Sequence, residues 1–129
     1  MQLTIAVIVM LGALGVGHWW VRTVQPVGVI RAQLRAIDEG MYPQAYDYLS
    51  STAKATWSFD EFVALIQYNP VVMETRVSTF SSRSVNGNTA TIGGVLEGYG
   101  LDVSEATFVL VKEGNQWRIE NFAWGPPHQ

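Results

Sequence analysis

The stretch VVMETRVSTFSSRSVNGNTATIGGVLEGYGLDVSEATFVLVKEGNQWRIENFAW, residues 71–124, alternates apolar and polar positions between turn signals, the pattern of strands in a sheet. Within Ser84–Thr89 an Asn86-Gly87 pair offers the positive φ that a tight hairpin turn needs. Lys112–Trp117 holds a second tight turn around Gly114, and Gly98-Tyr99-Gly100-Leu101-Asp102 forms a looser connection. Four strands result. In the first, Met73, Thr75, Val77 and Thr79 share one face, and Glu74, Arg76, Ser78 and Phe80 the other. In the second, Ala90, Ile92, Gly94 and Leu96 share a face, and Gly93-Gly94 predicts a bulge or sharp bend. The third strand, with Ala106, Phe108 and Leu110 opposite Thr107, Val109 and Val111, is apolar on both faces near its end and belongs inside the sheet. In the fourth, Trp117, Ile119 and Asn121 oppose Arg118, Glu120, Phe122 and Trp124. Connections this short join antiparallel neighbours, so a curved antiparallel sheet is expected.

Upstream of the sheet the period changes to that of helices. From Val27 to Glu39, Ile30, Leu34 and Ile37 recur at i, i+4 and i+7, with Arg31, Arg35, Asp38 and Glu39 off the stripe and Gly40 placed to end the helix. Gln25-Pro26 is expected to break this helix from what precedes it. Pro43 suits the start of a short second helix, with Ala45, Tyr46 and Leu49 turned inward and Ser50-Ser51-Thr52 ending it. Ser58-Phe59-Asp60-Glu61 reads as a capping box, with Trp57 and Phe62 placed as a hydrophobic staple. Phe59, Phe62, Val63 and Ile66 face the sheet, and Asn69-Pro70 stops this third helix. Helices first and strands after make an α+β domain of three helices on a four-stranded antiparallel sheet.

Leu3 to Val21 contains no Asp, Glu, Lys or Arg. Such a helix approaches the ~30 Å hydrocarbon thickness of a bilayer, and its aliphatic residues each favour insertion by roughly 0.3–0.6 kcal/mol. His18, Trp19, Trp20 and Arg22 then fall at the membrane interface. A cleaved leader would want a basic start and a small-residue cleavage site, which Met1-Gln2 and Trp19-Trp20-Val21 do not supply. The expected organisation is a transmembrane anchor over 1–24, a domain over 25–124 and an exposed tail over 125–129. Ala13 and Gly17 are spaced as in close-packing membrane helices.

Composition narrows function by exclusion. Hydrophobic content of 48% against 15% charged rules out a disordered chain. A net charge of −3 argues against nucleic acid, whose binders need clustered cations. With no cysteine, thiolate chemistry and thiolate-bound zinc are excluded. The two histidines, His18 and His128, lie outside the domain, which argues against a Ser-His-Asp triad or a His-ligated metal. No cofactor motif is present, and Gly93-Gly94 sits inside a strand rather than in a phosphate loop.

Val29 to Tyr46, an amphipathic helix, a break and an Ala-Tyr pair, together with Glu113-Gly114-Asn115-Gln116-Trp117-Arg118-Ile119, resemble the opening helix and final hairpin of the nuclear transport factor 2-like superfamily. The likeness spans about Val27 to Trp124 and points to a bacterial branch carried behind a signal sequence or anchor. It implies the cystatin-like cone, a fold shared by isomerases, dehydratases, transport adaptors, secretion-system components and proteins without activity, so it does not choose a function. Isomerase relatives set a carboxylate and tyrosines in an apolar cone, for which Asp38, Tyr46, Tyr68, Glu74, Tyr99 and Glu120 are the candidates here. Five of these (Tyr46, Tyr68, Glu74, Tyr99 and Glu120) are also the expected lining of a ligand cone. Phe122 and Trp124 are candidates for a protein interface, since relatives dimerise through the sheet. The reading that results is a membrane-anchored, non-catalytic cone domain acting through protein contacts as an accessory or assembly subunit. Its partners would be the lipid bilayer, membrane proteins and a second copy of the chain through the sheet; the resemblance favours the extracytoplasmic side for the domain, while Arg22 just after the span favours the cytoplasmic one. A small-molecule binding domain and an isomerase- or dehydratase-type enzyme are the alternatives, separated from the first by whether the cone is open or plugged.

Overall fold

Four antiparallel strands, β1 (Thr75–Asn86), β2 (Thr89–Gly98), β3 (Val103–Glu113) and β4 (Gln116–Trp124), form a meander in the order β1-β2-β3-β4. The structure, a computed structural model, describes residues 23–100 and 102–125. The expected anchor, its interface residues His18, Trp19, Trp20 and Arg22, and tail residues 126–129 lie outside them. Among the described residues no helix is long and apolar enough to cross a membrane. The α+β architecture and the antiparallel four-stranded sheet are as expected, with β2 and β3 inside and β1 and β4 at the edges.

Both tight turns are two-residue loops, with Asn86 paired to Thr89 and Glu113 to Gln116. The positive φ falls on Gly87 (63°) and Gly114 (62°) alone, as in turns that place glycine first. A bulge does lie opposite Gly93-Gly94, but its extra residue is on the partner strand. The register of β1 slips between Thr79 and Ser82, while β2 runs in regular register against β3. A Cβ on Gly94 would stand 1.9 Å from the Thr79 carbonyl oxygen, so glycine is what lets the bulged strand come this close.

Two bulges correct the expected strand faces. An irregular pairing reverses side-chain parity along a strand. In β1 the buried positions pass from Phe80 to Arg83, and in β4 the core side passes from Trp117 and Ile119 to Phe122 and Trp124, across the slip at Val109/Leu110. The first strand begins at Thr75 rather than at Met73, because Met73 closes a single helical turn, Pro70–Met73.

The helical layer has five segments rather than three: α1 over residues 23–38, α2 (Tyr42–Asp47), α3 (Ser51–Thr56), α4 (Phe59–Gln67) and α5 (Pro70–Met73). α1 runs through Gln25-Pro26, where a break was expected; Pro26 and Val27 are buried, and packing overrides the local preference. α1 ends as predicted. Gly40 has φ 76°, and the Gly40 and Met41 amides donate to Ile37 and Ala36 at 3.0 and 2.8 Å, a Schellman closure. Ser50, expected near a helix end, instead begins α3 by accepting from the Ala53 amide at 3.1 Å. The capping box on α4 forms as read: the Glu61 amide donates to Ser58 Oγ at 3.2 Å and the Ser58 amide to Glu61 Oε1 at 3.0 Å.

One core fills the space between helices and sheet. Ile30, Leu34 and Ile37 of α1 and Phe62 and Ile66 of α4 meet Phe80, Ile92, Leu96, Phe108, Leu110 and Ile119 from the strands. The edge of β4 is partly covered by Tyr48–Ser50, where the Ser50 amide donates to Ile119 at 2.8 Å and the Ile119 amide to Tyr48 at 2.9 Å.

Candidate functional site

A small-molecule site needs open volume lined by a few convergent polar groups, and between the helices and the sheet side chains fill the interior. Phe62, Phe108, Ile30, Ile92, Leu96, Leu110 and Ile119 are all fully buried within it. Phe80 meets Phe108 edge to face at 6.1 Å, and Phe62 meets Tyr46 and Phe122 at 5.6 and 6.1 Å. The fully buried polar side chain of Gln33 is spent on structure, with Nε2 donating to the Ala45 carbonyl at 3.2 Å.

The residues expected to line the cone lie in separate places. Tyr46 is half-buried, and its hydroxyl donates to the Trp57 carbonyl at 2.6 Å, tying α2 to the turn between α3 and α4. Glu120 is half-buried at the opposite end of α3, its Oε1 accepting from Ser50 Oγ at 3.4 Å. Tyr68, 90% exposed, is turned to solvent past the end of α4. Glu74 is exposed between α5 and β1. Tyr46 packs its ring against the core while its hydroxyl is held by a backbone carbonyl, Tyr68 and Glu74 are exposed, and no hydrogen bond joins any two of the four.

Two candidates do meet, at the edge of the sheet. The Tyr99 hydroxyl donates to Asp38 Oδ2 at 3.3 Å. The negative charge of Asp38 is the main cause that raises the Tyr99 pKa, with desolvation and this hydrogen bond adding to it. The phenol therefore stays protonated and serves as a donor, not as a base. This pair borders a groove of about 270 Å³ between α1 and β1, lined by Arg31, Leu34, Arg35, Asp38, Thr75, Arg76, Ser78 and Tyr99. Arg31 Nε donates to Ser78 Oγ at 3.3 Å and its Nη2 to the Ser78 carbonyl at 3.4 Å, and its guanidinium lies 5.5 Å from the Phe80 ring centre. Arg76 Nε donates to the Gly98 carbonyl at 3.4 Å. Sequence reasoning missed the arginines as a group. Arg31, Arg35 and Asp38 do repeat at i, i+4 and i+7, but what they face is set by the packing of α1 on β1.

A larger groove, about 590 Å³, lies where α1 meets the β3–β4 hairpin. Gln25, Gly28, Val29 and Ala32 form one wall; Tyr48, Trp117 and Arg118 form the other. Arg118 is held by the Asp47 carbonyl at 2.6 Å and by Gln116 Oε1 at 2.7 Å. Phe122 and Trp124 stack at 4.8 Å, and Phe122 reaches Trp57 and Phe62, so both rings lie under the helices and are half-buried. The open face of the sheet carries Ser82, Thr91, Val95 and Thr107 instead, with Val95 41% exposed. Among the described residues no group of three or more His, Cys, Asp or Glu is arranged to hold a metal ion.

A family model described as a domain of unknown function (DUF4864) matches residues 22–124. No curated protein matches the chain. Among solved structures, one from Campylobacter jejuni named as an NTF2-like transpeptidase superposes with a TM-score of 0.57 at 11% identity, covering 74% of this chain and 97% of that one. At that identity the likeness concerns the fold, and it agrees with the nuclear transport factor 2-like cone.

Proposed function

We propose a function from one premise, that the chain belongs to the DUF4864 family and carries that family's domain on a nuclear transport factor 2-like fold: it is a membrane-tethered contact domain rather than a catalyst. The observation that carries this reading is the filled cone. Phe62, Phe108, Ile92 and Leu110 are fully buried between helices and sheet, so side chains occupy the interior where the resemblance would set a ligand. The candidate acid–base groups support the same reading. Tyr46 is bound to a backbone carbonyl, Glu120 to Ser50, and the Tyr99–Asp38 pair stands outside the core.

The uncharged run Leu3–Val21 supports the tether. In this reading the run ahead of α1 anchors the chain, and α1 through Gly125 form the contact domain on the extracytoplasmic side. The domain serves as an accessory or assembly subunit of a membrane complex. Two surfaces suit protein contacts: the groove beside Trp117, and the open sheet face around Val95 and Thr107, which is also the face for a second copy of the chain.

Photo-crosslinking groups placed at Gln116 and at Thr107 test the reading in intact membranes. A crosslink from either position to a membrane protein, retained through purification in mild detergent, is the expected result. Recovery of the intact chain in the soluble fraction, or recovery alone from the membrane with no crosslink at either site, overturns it.

A further inference from the structure

Three of the eight basic residues of this acidic chain, Arg31, Arg35 and Arg76, converge on the groove between α1 and β1. Among the described residues none of the three stands in an ion pair within 4 Å of a carboxylate, as Lys54 does with Asp47 at 3.7 Å on the other side of the domain. Asp38, the acid of the groove, holds the Tyr99 hydroxyl instead. Arg31 and Arg35 stand one helical turn apart, a like-charge spacing that destabilises a helix. Yet two of the three guanidiniums are positioned: Arg31 by both oxygens of Ser78 and by the Phe80 ring, Arg76 by the Gly98 carbonyl. These bonds use Nε and one terminal nitrogen of Arg31 and Nε of Arg76, which leaves further N–H donors on both.

We propose that this groove is a binding site for a phosphate group, free or as a monoester. The lining carries three guanidiniums against one carboxylate, an excess of positive charge that suits a phosphate monoester, which carries about −1.5 to −2 at neutral pH. Arginine forks pair with tetrahedral phosphate oxygens through two parallel N–H bonds. A volume of about 270 Å³ admits a phosphate and a small attached group, and the Ser78 hydroxyl lies on the wall as a further donor. The site is separate from the Trp117 groove and from the open sheet face, so it stands whether or not those surfaces bind proteins.

Calorimetric titration of the full chain in mild detergent tests the site, with inorganic phosphate, glycerol phosphate, short-chain phosphatidic acid, succinate and acetate as separate ligands. Arg35→Gln and Arg76→Gln are each expected to weaken phosphate binding about tenfold or more, and Lys112→Gln, outside the groove, to leave it unchanged. Binding of the soluble phosphates identifies a free ligand; binding of the phosphatidic acid alone, with the same arginine dependence, identifies a lipid headgroup. The proposal is overturned if no phosphate binds below about 10 mM, if both arginine variants bind like the parent, or if succinate binds as tightly as phosphate. Arg35 is exposed, so its variant keeps the fold, and an unchanged urea midpoint for that variant verifies this.

Discussion

Asn69 Nδ2 donates to the carbonyl of Gly125 at 2.9 Å, joining the corner between α4 and α5 to the end of the last strand. The same carbonyl accepts from Ser104 Oγ at 2.7 Å, and Asn69 Oδ1 accepts the amides of Val71 and Val72 at 3.0 and 3.3 Å. One buried amide thus caps a helix and holds Gly125, which was expected to be part of a mobile tail. Replacing it with alanine removes the cap and strands buried polar groups. Asn69→Ala is expected to lower stability by about 2–4 kcal/mol, and Ser104→Ala by about 1 kcal/mol, read from urea unfolding. Equal effects of the two changes would contradict the central place given to Asn69.

Neighbouring glycines in β2 provide a sharper contrast. A Cβ at Gly94 collides with backbone, 1.9 Å from Thr79 O and 2.8 Å from Phe80 Cα, whereas at Gly93 its nearest neighbour is 3.6 Å away. Backbone cannot yield as the tip of a side chain does. Gly94→Ala should therefore cost about 3 kcal/mol or more, or prevent folding, by forcing apart the bulged pair. Gly93→Ala should fold with a midpoint close to the parent's. Circular dichroism and a urea titration of the two variants decide it.

These elements show what a sequence exposes and what it conceals. The capping box at Ser58 and Glu61 and the closure at Gly40 were readable because a few residues and their own backbone make them. Ser50 was misread, since the same hydroxyl suits the end of one helix or the start of the next, and its place is set by the bridge of Leu49 to Ile119. The glycine signal at Gly94 was real, but the bulge it accommodates lies on the partner strand, and strand parity depends on pairing rather than on order. Arg31 and Arg35 could be seen on one helix face; Arg76 and Tyr99 join them only through the packing of distant segments. The crowding of the cone is likewise a property of tertiary packing, invisible to any local pattern.

Acid should weaken the domain through two identified carboxylates. The Glu61 pKa is lowered chiefly by the Ser58 amide, and that of Glu113 by the Ser51 hydroxyl, 2.7 Å away, and then its amide. A pKa held lower in the folded chain means that stabilisation is complete above the unfolded glutamate value, about 4.3, and is lost as pH falls through the folded value. Urea midpoints are expected to be flat from neutrality down to about pH 5 and to fall below it. In the double variant Glu61→Gln, Glu113→Gln the acid limb should be shallower. An unaltered limb would place the acid sensitivity elsewhere.

The filled cone makes its own prediction. Phe62 of α4 is fully buried and meets the rings of Tyr46 of α2 at 5.6 Å and Phe122 of β4 at 6.1 Å, so it joins the helix layer to β4. Truncation to alanine should cost about 3–5 kcal/mol, the range for a large aromatic in a core that relaxes only in part. An apolar void of that kind stays dry and accepts a benzene-sized guest, and a guest that binds only the folded state raises its stability. Phe62→Ala should therefore gain a rise in unfolding temperature on adding benzene that the parent does not show. Phe62→Leu, which leaves a smaller void, should fall between them and guards against the alanine variant failing to fold. If the parent chain is itself stabilised by such guests, the interior is open, and the contact role gives way to one of binding within the cone.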